Sequence, residues 1–325
     1  MKRLLVLLAL LSLASCGLDR PEVARVGGTD VTPARLQQLV SLQRALAQLS
    51  GGACGQPTRG ESQESACDRQ ALSSELLWLG VEDYANAHDL VASDSEVDQI
   101  VDQLEAQVGS DALNQALAAR DVTREDLHEL GRKLLTIRAV RTAVAEDEIG
   151  SARLHAMYRD RALEFTTIEA DHILVKTQAE AEAVYARVWD ATRQAFEAEA
   201  RRVSTDPGAK DSGGSVGRGV ASTFAEPFAR AAVALEPGEV SRPVQTQFGW
   251  HVIYLISKDV TPFEQAKPTL LDPLADDAFQ SWLERRAEDV GVLVSPRYGR
   301  FEPRTFSVSA VHSTDPDAPS PSPSP

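Results

Sequence analysis

The run Thr167-Ile168-Glu169-Ala170-Asp171-His172-Ile173-Leu174-Val175 reads as a β-strand, and Thr177-Gln178-Ala179-Glu180 behind it reads as a helix start. In the second stretch the Thr177 hydroxyl and the Glu180 carboxylate can cap each other's backbone N–H groups. That pairing opens a long helix to about Ala200. Ser204 to Gly219, rich in Gly, Ser and Asp, reads as a loop. Phe224 to Leu235 reads as a short helix and Pro237-Gly238 as a turn. Val240–Val244 and Trp250–Ile256 read as two strands. Strand, helix, loop, helix and two strands within about 95 residues describe a compact α/β unit.

The flanks have a different style. Thr32-Pro33 is an N-cap followed by proline, opening a helix to about Leu49 with Leu36, Leu39, Val40, Leu42 and Leu46 near helical period. Gln70 to about Leu90, a helix capped at Ser93 or Asp94, a short one near Asp111 to Ala119, and one opened by Thr123 and Asp126 continue the pattern. A helical pattern returns from Phe263 to about Val290, and Leu293 to Phe301 reads as extended. This last segment is expected to fold back onto the N-terminal domain, leaving the α/β unit as an insertion.

The chain has 325 residues and a net charge of −15, which argues against nucleic acid as a partner, because phosphates require a basic footprint. Lys2 and Arg3 precede an apolar run from Leu4 to Ala14, too short to span a bilayer but suited to a signal-peptide core. Leu13-Ala14-Ser15-Cys16-Gly17 resembles a bacterial lipobox, which implies a diacylated Cys16 anchoring the protein outside the cytoplasm; the alternative is a plain signal peptide with an incidental cysteine. Export implies an oxidising space, so the two remaining cysteines, Cys54 and Cys67, are expected to pair across a loop. Two free thiols are the alternative; a metal site lacks neighbouring ligands. The tail from Ser313 to Pro325, rich in Pro, Ser and Asp, is expected to be disordered.

No GxSxG elbow, HExxH pair, P-loop or dinucleotide fingerprint is present. What stands out is one histidine in each of two strand-like runs, His172 and His251, and the acidic loop Ser204-Thr205-Asp206-Pro207-Gly208 leading to Gly213-Gly214. Singly, each has a plain reading as a core histidine or a turn. Helical His88, His128 and His155, and His312 near the tail, carry no functional expectation.

Together with Pro227-Phe228-Ala229-Arg230-Ala231-Ala232, Leu235-Glu236-Pro237-Gly238-Glu239-Val240-Ser241 and Val244-Gln245-Thr246-Gln247-Phe248-Gly249-Trp250-His251-Val252-Ile253, these motifs resemble the parvulin family in order and spacing over residues 166 to 258. The resemblance implies peptidyl-prolyl cis/trans isomerase activity without metal or cofactor. His172 and His251 match the paired core histidines, Thr246 the hydroxyl that bonds to them, and Asp206 a position held by cysteine or aspartate. Asp206 would tune the field at the carbonyl or only hold the loop. Phe224, Phe228, Phe248 and Val216 would line the prolyl pocket. Ser215 and Val216 depart from the usual Asp and Leu, Gly219 and Val233 from aromatics, and Ala225 from Gln, which puts the strength of catalysis in doubt. Phosphate-directed relatives carry an Arg-rich insertion where only Lys176-Thr177-Gln178 stands here, so phosphoserine recognition is disfavoured.

The N-terminal half, over Val23 to Leu39, Asp94 to Val108 and Val122 to Leu135, resembles SurA-type chaperone domains, as does the closing Val294-Ser295-Pro296-Arg297-Tyr298-Gly299. Their lipoprotein relatives are PrsA-type foldases. The expected fold class is therefore α+β. A signal peptide (1–15) precedes a helical chaperone-like domain (16–164), a parvulin-like domain of FKBP-like superfold (165–259), a returning helix and strand (260–304) and a tail (305–325). The expected partners are unfolded or nascent secreted proteins with X–Pro bonds and, through the anchor, a membrane. A non-catalytic holdase with a degenerate parvulin domain is the rival.

Overall fold

A computed structural model describes residues 21–311. Cys16, the leader, His312 and the Pro/Ser-rich tail lie outside the described residues. The chain divides into two compact units, one of residues up to Val144 and from Asp277 onward, the other Ala145–Asp276.

The first unit begins with the hairpin β1 (Ala24–Val26) and β2 (Thr29–Val31). Then come α1 (Pro33–Leu49), α2 (Gln63–Ala87), α3 (Asp94–Val108), α4 (Ser110–Ala118) and α5 (Arg124–Ile149), the last running into the second unit. The caps are those the sequence spells. Thr32 Oγ1 accepts from Arg35 N at 3.2 Å, Ser93 and Glu96 form a reciprocal box, and Thr123 does the same with Asp126. α2 starts seven residues earlier than expected, because Ser62 caps it through Ser65 N, so Cys67 lies on a helix rather than just past a loop. Cys67 is joined to Cys54 by a disulfide, and both sulfurs sit in the core with Leu72, Leu76 and Val140.

The second unit holds α6 (Ser151–Asp160), β3 (Thr166–Val175), α7 (Gln178–Val188), α8 (Arg193–Val203), α9 (Ala209–Ser212), β4 (Ser215–Val220), α10 (Glu226–Ala234), β5 (Val244–Thr246) and β6 (Gly249–Val260). Three expectations need correction. The helix expected to reach Ala200 is two helices, since Thr192 accepts from Ala195 N and starts α8 afresh. The expected loop 204–219 contains α9 and β4, whose glycines disguise an edge strand paired along β3. The strand expected at Val240–Val244 is a single bridge from Val240 to Tyr254, because Pro243 has no N–H to donate to a ladder; pairing resumes at β5.

The sheet order is β4-β3-β6-β5, antiparallel throughout. Strand alternation sends Ile173, Val175 and Val252 to a core under α7 and α8, and Ile168, Ala170, Ile253 and Leu255 to a core under α10. His172 and His251 fall on the α10 side.

The chain then leaves through α11 (Phe263–Val290), whose C-terminal part belongs to the first unit, and β7 (Val292–Val294) pairs with β1. The segment expected to be extended from Leu293 to Phe301 breaks at a turn, where Tyr298 N donates to Ser295 O, before β8 (Arg300–Glu302). Residues 305–311, expected within a disordered tail, instead include β9 (Ser307–Ser309), paired with β8 and anchored by buried Phe306 and Val308. No helix among the described residues is long and apolar enough to cross a membrane.

Candidate active site

The site is built from the two central strands. In the β3–β6 ladder His172 pairs with Ile253 and Leu174 with His251, so the histidines are diagonal neighbours on one face, close enough for long side chains to meet. Their Nδ1 atoms lie 3.0 Å apart and both residues are buried. His172 Nε2 is 2.7 Å from Asp206 Oδ2, and His251 Nε2 is 2.8 Å from Thr246 Oγ1. Phe248 N donates to the same Thr246 oxygen at 3.1 Å.

These contacts fix the direction of the hydrogen bonds when both rings are neutral. Asp206 as a carboxylate only accepts, so His172 donates through Nε2 and accepts at Nδ1. His251 therefore donates through Nδ1, which leaves its Nε2 to accept from the Thr246 hydroxyl. The result is one polarised chain, Thr246 to His251 to His172 to Asp206. Electrostatics agree with it. Burial, then the neighbouring His172, pushes His251 down to about 4 against a weaker pull from Asp206, so the ring is neutral near pH 7. The His172 hydrogen bond holds the Asp206 carboxyl below its ordinary value, against a smaller opposing effect of burial.

Local backbone contacts aim these groups. Ser204 Oγ accepts from Leu174 N at 3.1 Å and from Asp206 N at 3.3 Å, and Thr205 N donates to Leu174 O at 2.8 Å, lacing the Asp206 loop to β3. Gly214 O accepts from His172 N at 2.7 Å; a Cβ on Gly214 would lie 2.3 Å from His172 O, and its φ of +91° also requires glycine. Beside His172, Asp171 points to the opposite face, fully buried, and accepts from Arg193 Nε at 2.9 Å. Burial raises its carboxyl above the ordinary value, and Arg193 opposes this. Sequence reasoning singled out neither Ser204 nor the Asp171–Arg193 pair. Only strand alternation, which places Asp171 opposite His172, hinted at the second.

Above the histidines lies an apolar layer. The Phe228 ring stands edge-on to both imidazoles, with centroids at 6.1 Å from His172 and 5.5 Å from His251, and Phe224 stacks on Phe228 at 5.7 Å. Val216 packs into the same cluster. Phe248 does not join this group: its residue is 67% exposed, and among the described residues it makes no ring contact with Phe224 or Phe228. No cluster of metal-ligating groups occurs among the described residues.

Residues 168–257 match the family model of the PPIC-type PPIase domain, and residues 2–141 that of the SurA-like N-terminal domain. The chain thus joins a PPIC-type PPIase domain to a SurA-like N-terminal domain. A foldase protein PrsA from Clostridium tetani is 28% identical over 320 residues, covering 89% of this chain and 93% of its own. A putative peptidyl-prolyl cis-trans isomerase from Helicobacter pylori is 40% identical over 131 residues, 37% of this chain and 44% of that protein. A solved peptidylprolyl isomerase (PrsA) from Bacillus cereus is 20% identical over 85% of this chain and 93% of that one, with a TM-score of 0.33, too low to bear on the fold. The His172–His251 pair and the phenylalanines above it all fall inside the matched PPIase domain.

Proposed function

We propose that the protein is an extracytoplasmic foldase that catalyses X–Pro isomerisation in unfolded exported proteins while its helical unit holds them. The observation that carries this reading is the apolar layer of Phe224, Phe228 and Val216, with Phe228 edge-on to the two buried histidines of the hydrogen-bonded chain from Thr246 to Asp206.

Rotation about a peptide bond meets a barrier of about 18–20 kcal/mol, because it breaks amide resonance. No covalent bond forms or breaks, so no nucleophile is required. In the twisted amide the carbonyl oxygen loses negative charge and the nitrogen gains basicity, and a dry apolar cup favours that less polar arrangement over the planar one. Phe228 and Phe224 grip the prolyl ring. The two imidazoles beneath hold Phe228 in place and present fixed dipoles, which need no reorganisation as the bond turns. Asp206 acts through His172, fixing its tautomer; it has no covalent part.

Anchoring through a diacylated Cys16 belongs to the same proposal and rests on the order of basic residues, apolar core and cysteine in the leader. The clients are chains with apolar residues around proline, since no basic cluster stands between β3 and α7 to receive a phosphate. A second reading, a holdase without catalysis, is favoured by the exposed Phe248 and by Gly219, which leaves the cup shallow.

A proline-limited peptide assay on the chain starting after Cys16 separates the two. Isomerisation that falls with Phe228→Ala and His251→Ala supports the enzyme. No acceleration, with aggregation of an unfolded client still suppressed, supports the holdase. Cys16→Ser should move the full-length protein from the membrane fraction to the soluble one; an unchanged distribution removes the anchor from the proposal.

A further inference from the structure

Lys258 follows His251 on β6 at an odd separation, which in a regular strand would put the two side chains on opposite faces. The β3–β6 ladder changes that. Ala170 pairs with Leu255 but Glu169 with Ser257, so Ile256 is an extra residue on β6. Beyond this bulge Lys258 pairs with Ile168, which lies in the core under α10, and so Lys258 shares the face of the histidines. Its ammonium donates to Val233 O at 3.2 Å, to Leu235 O at 2.7 Å and to Glu236 Oε1 at 3.1 Å, which engages all three N–H groups. Both carbonyls stand at the C-terminal end of α10, where backbone oxygens lack intrahelical partners and a cation is favoured. The Lys258 side chain is 17% exposed and that of Glu236 73%, so the carbonyls, not the ion pair, dominate the contact.

We propose that Lys258 is a positioning residue for isomerisation: by holding the last carbonyls of α10 it fixes where that helix sets Phe228 on the two imidazoles. Its effect on rate rests on the isomerase reading above. The helix needs such a hold. It has nine residues, too few to be stable alone, and no side chain caps its N-terminus. Between its ends it rests on the sheet through Ala229 and Ala232, both fully buried. Side chains that small interlock weakly with the strands, so they do little to fix the helix along β6. At its start Phe228 meets His172 and His251, and at its end Lys258 ties it to the strand that carries His251.

The test uses the full chain with Lys258 unaltered, Lys258→Met or Lys258→Arg. It reads the urea midpoint of the second unit, kcat and KM on a proline-limited peptide, and the proton resonances of the His172 and His251 rings, which sense the ring current of Phe228. In folded Lys258→Met the imidazole signals should move and kcat should fall about tenfold, with KM within about threefold. Lys258→Arg, which keeps charge and donors, should recover most of kcat and bring the signals back. Where Lys258→Met does not fold, Lys258→Gln, with a shorter side chain and an amide donor, carries the same readings. A folded Met or Gln variant with a lowered midpoint but unmoved imidazole signals and kcat within about twofold makes the contact structural only. That result overturns the assignment and leaves the isomerase reading intact. No turnover by the unaltered protein overturns the isomerase reading, and with it any part of Lys258 in the rate.

Discussion

His251 is the group whose behaviour most directly tests the hydrogen-bond chain beneath the phenylalanines. Its residue is 4% exposed, and burial together with His172 brings its proton affinity from the ordinary 6.5 down to about 4. The unfolded chain takes up that proton near 6.5 and the folded chain only near 4. Between those values the unfolded state binds more protons, so stability falls as pH falls. The contribution is complete above pH 6.5 and gone below about 4. The gap corresponds to about 3 kcal/mol, a large share of the stability of a small domain. Protonation would also put a proton on His251 Nε2, reversing its bond with Thr246 while Nδ1–H goes on donating to His172.

The measurement compares the protein with His251→Gln along urea gradients from pH 7.5 to 4. Pulsed hydrogen exchange is read on the peptide spanning residues 250–256, so that only the second unit reports. Taking the difference between the two proteins cancels Asp171, whose raised carboxyl works in the opposite direction, and Asp206, whose loss begins lower in pH. The difference should shrink by about 3 kcal/mol on going from pH 6.5 to 4. Imidazole resonances give a direct companion reading, with His251 titrating near 4. Parallel curves for the two proteins, or a His251 that titrates at or above 6.5, would refute the reasoning.

Three further outcomes follow from the geometry. Gly214→Ala forces a Cβ onto the His172 carbonyl in a left-handed backbone, so it should destabilise the second unit by at least about 1–3 kcal/mol and abolish isomerisation, read by urea midpoint and peptide assay. Thr246→Val removes the donor to His251 Nε2 and should cost about 1–3 kcal/mol, most of it restored in Thr246→Ser. Replacing both Cys54 and Cys67 with Ser opens a 13-residue span in the first unit and should cost about 3 kcal/mol there, visible as faster exchange in α2 with β3 and β6 unchanged.

Where side-chain type and period agree, the sequence was readable. The caps at Thr32, Ser93, Thr123 and Thr177 are local events, decided by hydroxyls and carboxylates within four residues, and all four form. β4 was hidden because Ser215-Val216-Gly217-Arg218-Gly219-Val220 has loop composition; it is a strand only because β3 offers it a ladder. Tertiary pairing of that kind overrides propensity and leaves no local trace. The break between α7 and α8 did leave one, Thr192 three residues before Ala195, but apolar periodicity on both sides masked it.

The site divides along the same line. His172, His251, Thr246 and Asp206 lie up to 79 residues apart, and only the order of motifs related them before the ladder register brought the two Nδ1 atoms to 3.0 Å. Phe228 and Phe224 could be placed because a helix start fixes where they point. Phe248 could not: it follows the short edge strand β5, where its backbone N–H is tied to Thr246 while its side chain meets no enforced neighbour. That difference has a chemical consequence. A reaction that only turns a bond depends on a surface already in place, so rigid parts must come from the central strands and α10, where packing holds rotamers. The part that must admit and release a protein chain belongs at the edge. Phe248, in the turn after β5, and Gly219, on β4, lie at the two edges of the sheet, and the histidines occupy its centre. Substitutions at the centre should therefore change the rate for every peptide, whereas substitutions at the edges should change which peptide is preferred.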